Sequence, residues 1–323
     1  MHIPDAVLSP PVLIVTGVVG AAGFLYGLRR LERQSGEKTV VLMGMMSAFL
    51  FAAQMVNFPV LPGVSGHLLG GLLASVLLGP WAGACVVGAV LIVQCFMYND
   101  GGVTALGANF LNMGLIGALG GYAIYAPIRR AIGGRRGILL GSMVAAWLSV
   151  ILAAGSFAVE LAAGGRGRFF TVLGWMTLVH AAIGLGEALI TGVVIRFVLL
   201  TRPDLIYDVD APPSSATMKW GQFALAGLAV SLAVAVFLAP FASSWEDGLE
   251  HVGAKVGFLK NDTPVVLAGL FPDYQWTLFG RGRLGMATAA AGALGTIVVF
   301  VVGLVLARTF VRRGSGELGP DAV

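Results

Sequence analysis

Long apolar runs separated by short polar loops dominate this chain, and they leave few folds open to it. A helix that crosses a bilayer needs about 20 mainly apolar residues, within a range of about 17–25. Nine runs meet or approach that criterion, at roughly 10–28, 40–56, 65–79, 82–98, 104–126, 138–162, 173–200, 219–241 and 285–309. Only 11% of the 323 residues are charged, against about 25% in a soluble domain, so no water-exposed part is large enough to absorb this apolar surface. The 47 glycines suit close approach of helices inside a membrane. The third run is short, and Gly79-Pro80 divides it from the fourth, which predicts a tight helical hairpin. The expected fold class is an all-α integral membrane protein.

Basic residues set the orientation. Arg29, Arg30, Arg33 and Lys38 follow the first run, and Arg129, Arg130, Arg135 and Arg136 follow the fifth. Arg196, Arg202 and Lys219 flank the connection from the seventh to the eighth, and Arg308, Arg312 and Arg313 close the chain. Threading nine helices puts all of these on one side and leaves Arg166, Arg168, Lys255, Lys260, Arg281 and Arg283 on the other. The positive-inside rule then predicts an outer N-terminus and a cytoplasmic C-terminus. A net charge of +4 spread in this way marks membrane orientation rather than a nucleic-acid face. Pro203 to Ser215, with Asp204, Asp208, Asp210 and Pro212-Pro213, has linker composition. It divides a seven-helix core (1–200) from an accessory region (218–323), with 201–217 as a cytoplasmic linker. Two helices of the accessory region flank an outer loop of about 242–284, longer than a plain connection requires.

Met1-His2-Ile3-Pro4-Asp5 has no early basic residue of the kind that opens a secretory signal, so the segment is expected to be retained. A residue as bulky as His2 discourages removal of the initiator Met. Three nitrogens then lie close together: the amine of Met1, the amide of His2 and its imidazole. The amine and imidazole have reference pKa values of about 7.7–8.0 and 6.5, so both supply lone pairs near neutrality. The amide must lose a proton to bind, which demands a strongly polarising ion, and planar nitrogen ligation points to Ni(II) or Cu(II). His67, in Ser65-Gly66-His67-Leu68-Leu69-Gly70-Gly71, is the best candidate for a fourth nitrogen, because the topology puts it on the same side as Met1. Read alone, a His at a helix start serves equally as a cap or a hydrogen-bonded packing residue.

These segments resemble the CbiM/NikM family, the substrate-capture permeases of energy-coupling-factor (ECF) cobalt and nickel importers. The resemblance runs through the Met1 to Pro10 opening, Ser65 to Gly71, Leu78 to Trp81, Gln94 to Asn112 with its Asp100-Gly101-Gly102 loop, and His180 to Glu187. It implies a seven-helix core like that of ECF substrate-binding (S) components, with the metal held by the amine of Met1, the amide and imidazole of His2, and His67. It implies Ni(II) or Co(II) as the transported substrate, separate coupling and ATPase subunits as partners, and residence in a prokaryotic cytoplasmic (inner) membrane. The family has Gly where this chain has Ala6, which would be strained if the turn needs positive φ. Ser244-Trp245-Glu246-Asp247-Gly248-Leu249-Glu250 resembles the Pro-Asp-Gly-Leu-Glu motif of the small accessory subunit, with Glu246 in place of Pro. The chain therefore reads as a fusion whose outer loop is expected to meet the N-terminal site. The Ile3-Pro4-Asp5 opening and this motif look more like the nickel branch than the cobalt branch.

Intramembrane polar residues are functional candidates. His180 and Glu187 are seven apart and share a helix face, so they could relay, gate or hold helices together. Ser65, Gln94, Asn109 and Asn112 could bond across helices or orient the imidazole of His67. Ala48 and Ala52 form a small-xxx-small face suited to the coupling subunit or to packing within the chain. Cys85 and Cys95 read as small buried hydrophobes. No Gly-x-x-x-x-Gly-Lys-[Ser/Thr] occurs, so ATP hydrolysis falls to other subunits, and His-Glu-x-x-His is absent too. A metal-dependent membrane enzyme would need a base or nucleophile near His67. A secondary transporter would need midplane carboxylates, for which only Glu160 and Glu187 qualify, and a broken-helix repeat.

Overall fold

The computed structural model describes residues 1–32, 36–209, 219–259, 265–276 and 284–311. Part of the expected linker (210–217), parts of the outer loop and the last twelve positions lie outside the described residues. Helices α1 (Pro10–Leu31), α2 (Glu37–Gln54), α3 (Gly71–Leu78), α4 (Pro80–Tyr98), α5 (Leu106–Ile132), α6 (Gly134–Ala163) and α7 (Phe169–Thr201) build the core. Helices α8 (Trp220–Phe241), α9 (Gly248–Val256) and α10 (Leu284–Phe310) belong to the C-terminal region. Seven of them, α1, α4–α8 and α10, are long and apolar enough to cross a bilayer. Three short strands complete the described structure: β1 (Phe58–Leu61), β2 (Val64–Gly66) and β3 (Glu246–Asp247).

Proline and glycine mark the helix ends. Pro10 and Pro11 occupy the first turn of α1, where their missing N–H groups would be unbonded anyway. Gly79, at φ +89°, ends α3, and Pro80 opens α4, giving the expected tight hairpin. The last turn of α4 and the Phe110–Gly120 stretch of α5 widen into π-helix, a distortion frequent at functional sites.

Two of the nine expected runs are not among the seven long apolar helices: 40–56, which falls on α2, and 65–79, which the structure corrects. The run 65–79 is not a single helix, because β2 and an irregular turn lead into an α3 of only 8 residues. At 1.5 Å per residue, α3 is about 12 Å long, less than half of the apolar thickness of a bilayer. Every residue of α3 is buried, and non-helical backbone is tolerated at membrane depth only where protein surrounds it. Ala48 and Ala52 are fully buried on α2, which packs against α8 and α10 of the same chain.

The two ends of the bundle differ in charge. At one end Lys38, Arg129 and Arg202 converge on the segment after α7. Lys38 donates to the carbonyl of Asp204 and Arg129 to that of Asp208, while Arg202 grips the Asp204 carboxylate at 2.9 and 2.8 Å. The other end carries the N-terminus, the β-strands and α9.

Candidate metal centre

The N-terminal ten residues fold inward and are held by main-chain contacts. Ile3 N donates to Asn109 Oδ1 at 2.7 Å, and Asn109 Nδ2 and Gly102 N return bonds to Ile3 O at 3.1 and 2.9 Å. Asp5 Oδ1 accepts from Thr104 N at 2.8 Å and from its hydroxyl. Arg166 donates to the carbonyls of Ala6 and Val7. Met1, His2, Ile3 and Asp5 are all buried as a result.

Ala6 lies at φ +62°, a left-handed conformation that costs a non-glycine residue about 1–2 kcal/mol. Ala6→Gly removes that strain but adds about 0.5–1 kcal/mol of unfolded-state entropy. The variant is expected to melt slightly higher in detergent, by the equivalent of about 1 kcal/mol or less. A lower melting point would show that the methyl group contributes packing that outweighs the strain.

At the end of this segment the terminal amine of Met1 donates to His67 Nε2 at 2.6 Å and to Asp247 Oδ2 at 2.7 Å. His67 Nδ1 lies 3.1 Å from Leu68 O and donates to it, which leaves Nε2 as the lone-pair nitrogen facing the amine. A metal-binding imidazole usually has this arrangement, with its second nitrogen fixed on a carbonyl. Two nitrogens at about 2.0 Å from one ion and at right angles to each other lie about 2.8–2.9 Å apart. The amine and Nε2 of His67 already stand close to that spacing. Burial, then the neighbouring ammonium and His2, push the His67 imidazole down to about 3, so it is neutral and able to ligate.

The His2 ring stacks on His67, with centroids 5.1 Å apart and planes 11° from parallel. Its Nδ1, the nitrogen that closes a chelate ring with its own amide, is engaged by Asp100 Oδ1 at 2.8 Å. Its Nε2 is buried and has no partner among the described residues. The structure therefore brings Met1 and His67 into direct contact and sets the His2 ring beside them, turned towards Asp100. Among the described residues, no three His, Cys, Asp or Glu side chains form a metal-holding cluster. The nitrogens gathered here include the chain terminus itself.

The closure comes from far along the chain. Asp247-Gly248-Leu249-Glu250 folds as a capping box for α9: Glu250 N donates to Asp247 Oδ1 at 2.8 Å, and Asp247 N to Glu250 Oε2 at 3.1 Å. Capping uses one oxygen of Asp247 and leaves the other for the Met1 amine. β3 pairs in parallel with β2, Val64 against Glu246 and Ser65 against Asp247. The Ser65 hydroxyl donates to the carbonyls of Trp245 and Glu246 at 2.7 and 3.2 Å. The C-terminal motif thus sits directly on the strand that leads to His67. Burial would raise the Asp247 carboxyl, but the ammonium of Met1 and His67 outweigh it and hold the group well below the usual carboxylate range. The same opposition, with the His2 ring and the Tyr274 hydroxyl at 2.6 Å as the lowering partners, holds Asp100 low. A cavity of about 270 Å³ beside His2 and His67 is lined by Asp100, Asp247, Glu250 and Asp273. Carboxylates at such a mouth favour the approach of cations.

The remaining sequence candidates separate into two groups. Asn109 supports the N-terminal segment, Ser65 tethers β3, and Glu187 accepts from Leu69 N at 2.6 Å and Gly70 N at 2.8 Å, bracing the turn that carries His67. His180 is fully buried and lines a small pocket with Met1, His67 and Asp247. Gln94 bonds Gln54 at 2.8 Å, and Gln54 in turn donates to Leu69 O at 2.9 Å, so Gln94 acts at one remove. Asn112 turns away and donates to Glu160 at 3.1 Å. Asp247, Asp100 and Tyr274 were not predicted as site residues. Their only signals in the sequence are the motif at 244–250 and the acidic loop at 100–102.

Comparison with known proteins bears on this arrangement. The family described as the cobalt uptake substrate-specific transmembrane region (CbiM) matches residues 2–205, and the PDGLE domain matches residues 221–312. A putative fused nickel transport protein NikMN from Archaeoglobus fulgidus is 36% identical over 313 residues, covering 95% of this chain and 98% of that protein. The fused nickel transport protein NikMN of Rhodobacter capsulatus is 33% identical over 230 residues, or 66% of this chain and 65% of that protein. The crystal structure of a truncated transition metal transporter aligns with a TM-score of 0.56 at 30% identity, covering 62% of this chain and 99% of that one.

Proposed function

The chain belongs to the CbiM family and carries a fused PDGLE domain, and from that membership and the amino-terminal geometry we propose that it captures Ni(II) through Met1, His2 and His67. The carrying observation is the buried contact of 2.6 Å between the Met1 amine and His67 Nε2. The ion enters by the acidic mouth beside His2. The His2 amide and imidazole join the amine and His67, and Nδ1 of His2 exchanges its bond to Asp100 for the ion. Nitrogen ligands in one plane suit Ni(II), as they suit Cu(II), better than they suit ions that prefer octahedral or tetrahedral surroundings. Asp247 supports the site by holding the amine against His67.

The site end of the bundle faces outside and the basic end faces the cytoplasm, following the positive-inside distribution. A separate coupling subunit and ATPase subunits drive release of the ion inward, since the sequence carries no phosphate-binding loop of its own. A second reading, Co(II) as the cargo, has one support of its own: the family matched over residues 2–205 is described by cobalt uptake.

The test is titration of the purified full-length chain, with its authentic terminus, by Ni(II) and by Co(II), followed by calorimetry and absorption. One Ni(II) per chain with the spectrum of a planar, spin-paired ion is the expected result. Tighter Co(II) binding would transfer the role to cobalt, and an octahedral Ni(II) spectrum would sink the amino-terminal chelate.

A further inference from the structure

The His180 imidazole on α7 is fully buried, and its Nδ1 is 2.9 Å from the carbonyl of Met176 in the preceding turn. Nδ1 therefore carries the proton, and Nε2 is a lone-pair nitrogen. Nε2 has no partner among the described residues. Among the described residues the ring's one hydrogen bond is within its own helix. A buried acceptor without a donor is unusual enough in native proteins to call for a reason.

The place of the ring supplies one. His180 lines the same pocket as Met1, Gly66, His67 and Asp247, so the ring that carries the unpartnered nitrogen borders the residues of the amino-terminal site. A Cβ on Gly248 would lie 3.2 Å from His180 Cε1 and 2.5 Å from Ile183 Cδ1, so the motif backbone passes close to the imidazole and a side chain there would press on it and on Ile183. His67 and His180 are prepared alike, each with Nδ1 fixed on a main-chain carbonyl and Nε2 left as the lone-pair nitrogen. In His67 that nitrogen meets the amine, and in His180 it meets nothing.

We infer that His180 Nε2 is a further metal-ligating atom, the incoming ligand that engages the ion while the planar set at Met1, His2 and His67 is being assembled or taken apart. This rests on the amino-terminal capture reading. A planar ion leaves its axial positions open, so a fifth nitrogen forms one metal–nitrogen bond before another breaks, with no change of oxidation state. The His2 amide regains a proton from solvent as its own bond to the ion is lost. Such a ligand lowers the barrier in both directions and leaves the equilibrium unchanged.

The test uses the full-length protein with its authentic terminus. Ni(II) uptake, and release to excess EDTA, are followed by stopped-flow absorption for wild type, His180→Leu and His180→Gln, alongside the equilibrium Kd and melting temperature. The glutamine variant keeps a polar side chain of similar reach and serves if the leucine variant does not fold. Both rates are expected to fall by at least about 10-fold, the scale of lost ligand support in metal sites, with Kd and melting temperature unchanged. Rates equal to wild type overturn the assignment. A rise in Kd together with a fall in melting temperature overturns it too, by showing that His180 is structural. Wild-type protein that binds Ni(II) without a planar spectrum fails the capture reading itself, an outcome visible before any variant is made.

Discussion

One extra residue placed ahead of Met1 is expected to lower Ni(II) affinity by more than about 100-fold, while the protein still inserts, purifies and melts cooperatively. The extension keeps His2, His67, Asp100 and Asp247, so a site built from side chains alone would tolerate it. It converts the Met1 amine into an amide. That amine donates to His67 Nε2 at 2.6 Å and pairs with Asp247 Oδ2 at 2.7 Å, and in the proposed capture it begins the chelate with His2. Loss of an outer partner of a ligand typically costs 10–100-fold in metal affinity, and the proposed chelate loses a ligand outright. The added residue must also find room where Met1 is 4% exposed, and it leaves the partly buried Asp247 carboxylate without its ammonium. Calorimetric titration of the authentic and extended chains gives the comparison. Equal affinities would remove the N-terminus from the site and leave His67, with His180, as the groups to examine.

The amino acid sequence carried the parts of this arrangement that depend on local pattern. Apolar length alone marks the long helices, and Gly79-Pro80 marks the hairpin, because a bilayer leaves the backbone few alternatives. The run 65–79 was misread because a buried half-helix preceded by an extended strand is as apolar as a crossing helix. What breaks it is Gly70, at φ +74°, together with the carboxylate of Glu187 from α7. Neither the turn nor its distant acceptor can be recovered from hydrophobic periodicity. Asn109 and Asn112 show the same limit at short range. They are three residues apart on one helix, yet one holds Ile3 and the other Glu160, as local widening of α5 and the neighbouring helices dictate. The closure by Asp247 was half legible. The sequence shows the Asp-Gly-Leu-Glu motif at 247–250, and only the pairing of β3 on β2 carries the Asp247 oxygen left free by the helix cap to a terminus 246 residues away. For Ala48 and Ala52 the sequence left open a coupling subunit or packing within the chain, and in the structure both are fully buried on a helix that packs on α8 and α10.

The second large effect is expected at a residue that touches no metal. Glu187→Leu should lower the melting temperature sharply and weaken Ni(II) binding together. Glu187 is 1% exposed, and its two oxygens accept the amide protons of Leu69 and Gly70 at 2.6 and 2.8 Å. Those two N–H groups have no helical partner, because they precede α3 by one and two residues. Each buried N–H left unsatisfied costs about 1–3 kcal/mol, so the variant stands to lose roughly 2–6 kcal/mol in this one turn. Gln recovers part of the loss, since its amide offers one acceptor where the carboxylate offers two. His67 lies two residues before the braced turn, and its Nδ1 bond to Leu68 O depends on that backbone. Thermal melting in detergent and Ni(II) titration on the same samples should therefore rank wild type above Glu187→Gln, and Glu187→Gln above Glu187→Leu, in both stability and affinity. Unchanged affinity in a strongly destabilised Glu187→Leu would separate the turn from the site and show that His67 is positioned by the Met1 and β3 contacts alone.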